Sequence, residues 1–145
     1  MMEVAVAALA RREHSAFEMR RKLTQKGFAE QEVEACVSQL IENNLLSDER
    51  FTESYINMRK RRGYGPARIV QELRERGIGE ELANDYLDKK NPEWKQVMRQ
   101  QYAKKYGNQL AEDYAEKAKR ARFLQSRGFP LDWVFKLDSM DEYEI

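Results

Sequence analysis

Leu23-Thr24-Gln25-Lys26-Gly27-Phe28 returns as Leu73-Arg74-Glu75-Arg76-Gly77-Ile78 and again as Leu124-Gln125-Ser126-Arg127-Gly128-Phe129, at spacings of 50 and 51 residues. Each copy sets an apolar residue, a basic residue, a glycine and a large apolar residue in fixed order. That order marks a helix closing on a left-handed glycine, with the next side chain folded back on the core. The glycines are predicted helix stops, and the chain is a threefold repeat.

Apolar stripes at helical spacing flank every stop. After them come Val33, Cys36, Val37, Leu40 and Ile41 in the first copy, Ala83, Tyr86 and Leu87 in the second, and Val134 and Leu137 in the third. Before them come Ala16, Met19 and Leu23, then Pro66, Ile69, Val70 and Leu73. Ser15 with Glu18 three residues on predicts a capping box, while Gly65-Pro66 predicts the equivalent helix start by a cap glycine and a first-turn proline. A further helix precedes each pair: Met2 to Glu13, Asp48 to Arg61 behind Ser47, and Pro92 to Tyr106 behind Asn91. Gly107-Asn108 ends the last of these, and the following helix is expected from about Gln109 to Arg127. No strand-like alternation is present. The expected fold is all-α, with three tandem three-helix repeats at 1–46, 47–90 and 91–138 forming an elongated, curved array, and an acidic tail at 139–145.

The chain has 145 residues, 35% of them charged and 41% apolar, which suits a modest core under a heavily solvated surface. Its 26 Lys and Arg against 25 Asp and Glu leave a net charge of +1, so no global field drives it onto nucleic acid or an anionic membrane. Any basic site is local. One cysteine, Cys36, forbids an intrachain disulfide and points to a reducing compartment, so the chain is expected to be cytoplasmic. The apolar stretch Val4 to Ala10 is far short of the ~20 residues of a spanning helix, and no targeting segment is expected. One histidine and one cysteine exclude the usual His and Cys clusters of transition-metal sites and leave no crowd of candidates for a Ser-His-Asp or Cys-His arrangement. No catalytic residue, metal site or cofactor is expected.

Charge is segregated along the sequence. Ala16 to Lys26 holds Arg20, Arg21, Lys22 and Lys26 against Glu18, and Glu116 to Arg127 holds Lys117, Lys119, Arg120, Arg122 and Arg127 against Glu116. The third helices are acidic. Densest of all is Arg59-Lys60-Arg61-Arg62, which runs into Gly63-Tyr64-Gly65-Pro66-Ala67-Arg68. Four adjacent cations cannot share one helix face, and cations at a helix C-terminus are favoured by the macrodipole, so a solvated helix end is one reading. The other is a binding corner, in which Gly63 and Gly65 allow close approach, Tyr64 offers a stacking surface and Arg68 opens the next helix, suited to phosphate or an acidic protein groove. His14 is read as a helix-start residue and Cys36 as a small buried hydrophobe. Trp94 and Trp133 are read as packing residues. Asp138 to Ile145 carries four acids and no cation, a solvated end that would compete with anionic ligands for the basic faces.

Arg11-Arg12-Glu13-His14-Ser15, Ser47-Asp48-Glu49-Arg50-Phe51 with Tyr55, Gly63-Tyr64-Gly65-Pro66 with Arg68, Ile69, Glu72 and Leu73, and Lys119-Arg120-Ala121-Arg122-Phe123-Leu124 through Gly128-Phe129 resemble the RecX family of regulatory proteins. The resemblance spans nearly the whole chain. It implies a non-catalytic, monomeric negative regulator of the RecA recombinase, active in DNA repair and the SOS response. Such a protein lies in the groove of the RecA filament on DNA and inhibits filament extension, ATPase, strand exchange and co-protease activity. The partners implied are the filament and, through it, single- or double-stranded DNA, with no membrane. Contacts are expected from Arg59, Lys60, Arg61, Arg62, Tyr64 and Arg68, helped by Arg20, Arg21 and Lys22 and by Lys119, Arg120 and Arg122. The alternative reading is a stand-alone DNA-binding protein whose three-helix units act like helix-turn-helix modules.

Overall fold

In a computed structural model of the chain, residues 1–137 are described; the acidic segment 139–145 read from the sequence lies outside them. Among the described residues there are nine helices and no strand. They are α1 (Met2–Arg11), α2 (Ala16–Gln25), α3 (Glu30–Glu42), α4 (Asp48–Arg61), α5 (Pro66–Glu75), α6 (Glu80–Tyr86), α7 (Glu93–Tyr106), α8 (Tyr114–Ser126) and α9 (Leu131–Phe135). None is long and apolar enough to cross a membrane.

The three predicted stops all form. Gly27, Gly77 and Gly128 have φ of 95°, 79° and 103°, where a side chain would be strained. After each, the amide of the next residue donates back to the carbonyl of the leucine that began the motif: Phe28 to Leu23 at 3.3 Å, Ile78 to Leu73 at 2.9 Å and Phe129 to Leu124 at 3.2 Å. This six-to-one hydrogen bond, with the glycine amide donating to the carbonyl three residues back, is the Schellman closure. Asn44, at φ 59°, closes α3 by the same bonds, a stop that a search for glycines misses.

Starts follow side-chain chemistry. The Glu18 amide donates to Ser15 Oγ at 3.0 Å and the Ser15 amide to Glu18 Oε1 at 3.1 Å, completing the capping box. Ser47 Oγ accepts from the Arg50 amide at 3.2 Å, and α4 runs over the expected residues. Helix α8 departs from expectation: Asp113 Oδ1 accepts from the Glu116 amide at 2.8 Å, so the helix begins at Tyr114 rather than near Gln109. Similarly α1 ends at Arg11, before Glu13.

The chain divides into two compact units. The first holds Met1–Ile56 and Glu72–Tyr86, the second Asn57–Gln71 and the described residues from Leu87 onward. In the first, α2 packs on α3 and α1, burying Ala5, Ala8, Met19, Leu23, Val33, Cys36, Val37, Leu40 and Leu46. In the second, α8 packs on α7 and α9 around Met98, Leu124, Phe129, Val134 and Leu137. Tyr86 departs from its predicted stripe and is exposed, while Leu87 is buried.

Each unit contains the same joint, in which the start of one module's second helix meets the stop of the next module's second helix. In the first, Ser15 Oγ donates to the Arg76 carbonyl at 2.8 Å, and a Cβ on Gly77 would lie 2.4 Å from Phe17 Cβ. In the second, the Gly65 amide donates to the Arg127 carbonyl at 2.8 Å and the Ala67 amide to the Gly128 carbonyl at 3.0 Å. A Cβ on Gly65 would lie 2.5 Å from the Gly128 carbonyl carbon and oxygen. Gly77 and Gly128 therefore do two things, ending a helix and letting a neighbouring residue come close, whereas a Cβ on Gly27 would meet nothing within 4 Å.

Candidate functional site

The end of α4 builds the densest basic surface. The Gly63 amide donates to the Lys60 carbonyl at 3.0 Å and the Tyr64 amide to the Arg59 carbonyl at 3.1 Å, another Schellman closure. That closure turns the chain back so that Tyr64 lies under its own helix end, with the Arg59 guanidinium 3.8 Å from the ring centroid. From the first turn of α5, Arg68 reaches to 4.5 Å, and from the end of α8, Arg127 reaches to 4.8 Å. Arg68 Nη1 also donates to the Ser126 carbonyl at 3.1 Å.

Three guanidiniums around one ring repel each other, and the negative face of the tyrosine offsets part of that repulsion at ~0.5 to 1 kcal/mol per contact. The guanidinium fork matches phosphate and carboxylate, so these side chains suit an anion with several acceptor oxygens. Arg61 and Arg62, next in sequence at the end of α4, are exposed. Lys60 points elsewhere: its ammonium pairs with Glu93 and lies 5.0 Å from the Trp94 centroid. As the helical spacing required, the four-cation run is divided between faces.

Arg127 is a member of this site that the sequence reading left among the general charges of α8. Its signal was present in the repeat, because it directly precedes the stop glycine that docks against Gly65. The two corner glycines serve the fold rather than an incoming ligand. A Cβ on Gly63 would strike the Gln101 side chain, and one on Gly65 would strike the Gly128 backbone.

The other candidates are distributed differently. Arg20 pairs with Glu34 at 2.8 Å on an exposed surface, an interaction of little energetic weight. Arg21 and Lys22 line a cavity of about 410 Å³ together with Arg12, His14, Phe17 and Arg76. Burial, and after it the Arg12 guanidinium, holds the His14 pKa below 6.5, and its Nδ1 lies 3.1 Å from the Arg12 carbonyl oxygen. On α8, Lys119 and Arg122 are exposed, but Arg120 is only 5% exposed. It donates to the Tyr102 hydroxyl at 3.0 Å, the Gln109 carbonyl at 2.7 Å and Glu116 Oε1 at 3.0 Å. Arg120 thus clamps α7, the following loop and α8 together. Among the described residues, no group of His, Cys, Asp and Glu is arranged to hold a metal ion.

Family models for the RecX first, second and third three-helix domains match residues 2–40, 47–87 and 93–137. The regulatory protein RecX of Pseudomonas syringae pv. tomato is 39% identical over 133 residues, covering 92% of this chain and 86% of that protein. The chain belongs to the RecX family. The RecX of Pseudomonas putida is likewise 39% identical over 142 residues, covering 96% of this chain and 91% of its own length. Among solved structures, one RecX crystal structure has a TM-score of 0.77 at 24% identity, over 94% of this chain and 70% of that one. RecX from Lactobacillus salivarius has a TM-score of 0.74 at 23% identity, over 96% and 92% respectively. These two RecX structures establish the fold, three tandem three-helix domains, and the curated relatives establish a regulatory family.

Proposed function

We propose that this RecX-family chain is a negative modulator of the RecA recombinase, acting in the cytoplasm without catalysis of its own. It binds the RecA filament on DNA and lowers filament extension, ATP hydrolysis, strand exchange and co-protease activity. The observation that carries this reading is the guanidinium cluster on Tyr64, built from Arg59, Arg68 and Arg127, with the exposed Arg61 and Arg62 next to it in sequence at the end of α4. In a chain of net charge +1, a cluster assembled from three separate helix ends is a local device for meeting an anionic polymer or an acidic protein surface.

Arg20, Arg21 and Lys22, with Lys119 and Arg122, would supply supporting contacts, and Arg120, buried and hydrogen-bonded to Tyr102, Gln109 and Glu116, would hold α8 in place. The test is RecA ATPase on single-stranded DNA, with and without the chain at increasing concentration. A dose-dependent fall in hydrolysis supports the reading, and an unchanged rate over a range that saturates the filament overturns it.

A further inference from the structure

Two joints use two helix starts and two helix stops, but three repeats provide three of each. One start and one stop are left over. Where a start is used, its first residues are buried: Ser15 and Ala16 in the first joint, Gly65 and Pro66 in the second. The leftover start, Asp113-Tyr114-Ala115, is exposed throughout, with Tyr114 at 86%. The stops show the same contrast. Ile78 and Phe129, which follow the used glycines, are 2% and 1% exposed, and Arg76 and Arg127 before those glycines are half-buried. At the leftover stop Lys26 is exposed, Phe28 is only half-buried, and a Cβ on Gly27 would meet nothing within 4 Å.

The two leftover halves are complementary in charge. Lys22 and Lys26 stand one turn apart at the end of α2, and Glu112 and Asp113 stand at the start of α8. The used joints supply the bonding pattern. The Arg76 carbonyl accepts from Ser15 Oγ and the Arg127 carbonyl from the Gly65 amide, while the Gly128 carbonyl accepts from Ala67, the second residue of its helix. The first amides of any helix lack an intrahelical acceptor, so the amide of Ala115, the counterpart of Ala67, is a donor of the same kind. We propose that the Gly27 stop of one copy docks on the Asp113-Tyr114-Ala115 start of a second copy, as the stops and starts within one chain already do. The Lys26 and Gly27 carbonyls accept from that start, and Lys22 and Lys26 face Glu112 and Asp113. Because the two halves differ, the contact is heterologous: each added copy brings another open half, and copies join head to tail. One helix end on another is small beside the ~1,200 Å² of a standard interface, so pairing is weak in dilute solution and grows where copies are held side by side. This inference does not rest on the regulatory reading, and its test contains no RecA.

The experiment uses the full chain carrying Lys26→Cys or Ala115→Cys, both at exposed positions, treated with a short bis-maleimide at high protein concentration, alone and mixed. Cys36 is buried, so it stays in place, and the wild-type chain is the blank. The mixture is expected to give several times more covalent dimer than either variant alone, because position 26 meets position 115 and not its own kind. The variant with both cysteines is expected to give a ladder of dimers, trimers and longer species. Adding Glu112→Lys to the Ala115→Cys chain is expected to lower the mixed yield. Equal dimer in the mixture and in each variant alone overturns the proposal. So does the absence of dimer from chains whose circular dichroism matches wild type, or a double-cysteine variant that links only within itself.

Discussion

Replacing Gly65 by alanine tests the joint on which the basic corner is built. The added Cβ falls 2.5 Å from the Gly128 carbonyl carbon and oxygen and 2.8 Å from Phe129 Cδ1. Carbon contacts are comfortable near ~3.5 Å, so the two backbones must separate by about 1 Å. The Gly65 to Arg127 and Ala67 to Gly128 hydrogen bonds, at 2.8 and 3.0 Å, then stretch beyond bonding range. Two lost bonds at ~1 kcal/mol each, added to the ~1 to 3 kcal/mol typical of overpacking, give a destabilisation of about 3–5 kcal/mol. For a chain of this size that lowers Tm by about 10–15 °C. Urea and thermal melts read it directly, and Gly79→Ala serves as the control, since a Cβ there meets nothing within 4 Å. If Gly65→Ala melts within ~0.5 kcal/mol of wild type, the joint does not carry the stability assigned to it.

Ser15→Ala removes both the α2 cap and the bond to the Arg76 carbonyl at the equivalent joint, and is expected to cost about 2 kcal/mol by urea melts, against little change for Ser38→Ala. Arg120→Ala strips three hydrogen-bonded groups of their partner and should lower Tm clearly more than Lys119→Ala or Arg122→Ala, which sit in solvent. Because the His14 pKa is depressed by burial and by Arg12, the unfolded chain takes up its proton first as pH falls. The neutral-His contribution to stability is therefore complete above pH 6.5 and declines from there down through the lower folded value; melts at pH 7.5 and 5.5 should show a larger loss for wild type than for His14→Gln.

Periodicity in the sequence carries much of the fold, because helix stops and caps are local chemistry. Gly27, Gly77 and Gly128 were readable from a six-residue motif, and the Ser15–Glu18 box from four residues. The start of α8 was misplaced because the Gly107-Asn108 break was taken as the whole interruption, although Asp113 with Glu116 three residues on is itself a cap signal. The joints were illegible, since their bonds link residues about 60 positions apart and only the glycine, not its second backbone neighbour, is written locally. At the site, charge class alone did not reveal that Arg120 is buried. It stands four residues after Glu116 and four before the buried Leu124, so it shares the inward stripe of α8. Arg127 was counted only among the general charges of the 116–127 stretch, because its approach to Tyr64 depends on a contact some 60 residues away in sequence. Tyr64 was recognised as a flat surface, but which cations gather on it depends on the closure of α4 and on the Gly65–Gly128 contact.

If the basic end of α4 acts on the RecA filament as proposed, its exposed arginines Arg61 and Arg62 should carry part of that action. Arg61→Ala/Arg62→Ala tests it most directly, because both side chains are exposed and the double variant should melt within ~0.5 kcal/mol of wild type. In RecA ATPase assays on single-stranded DNA, the wild-type chain should suppress hydrolysis and this variant should lose most of that effect at equal concentration. A variant that folds normally and suppresses hydrolysis as well as the wild type contradicts it.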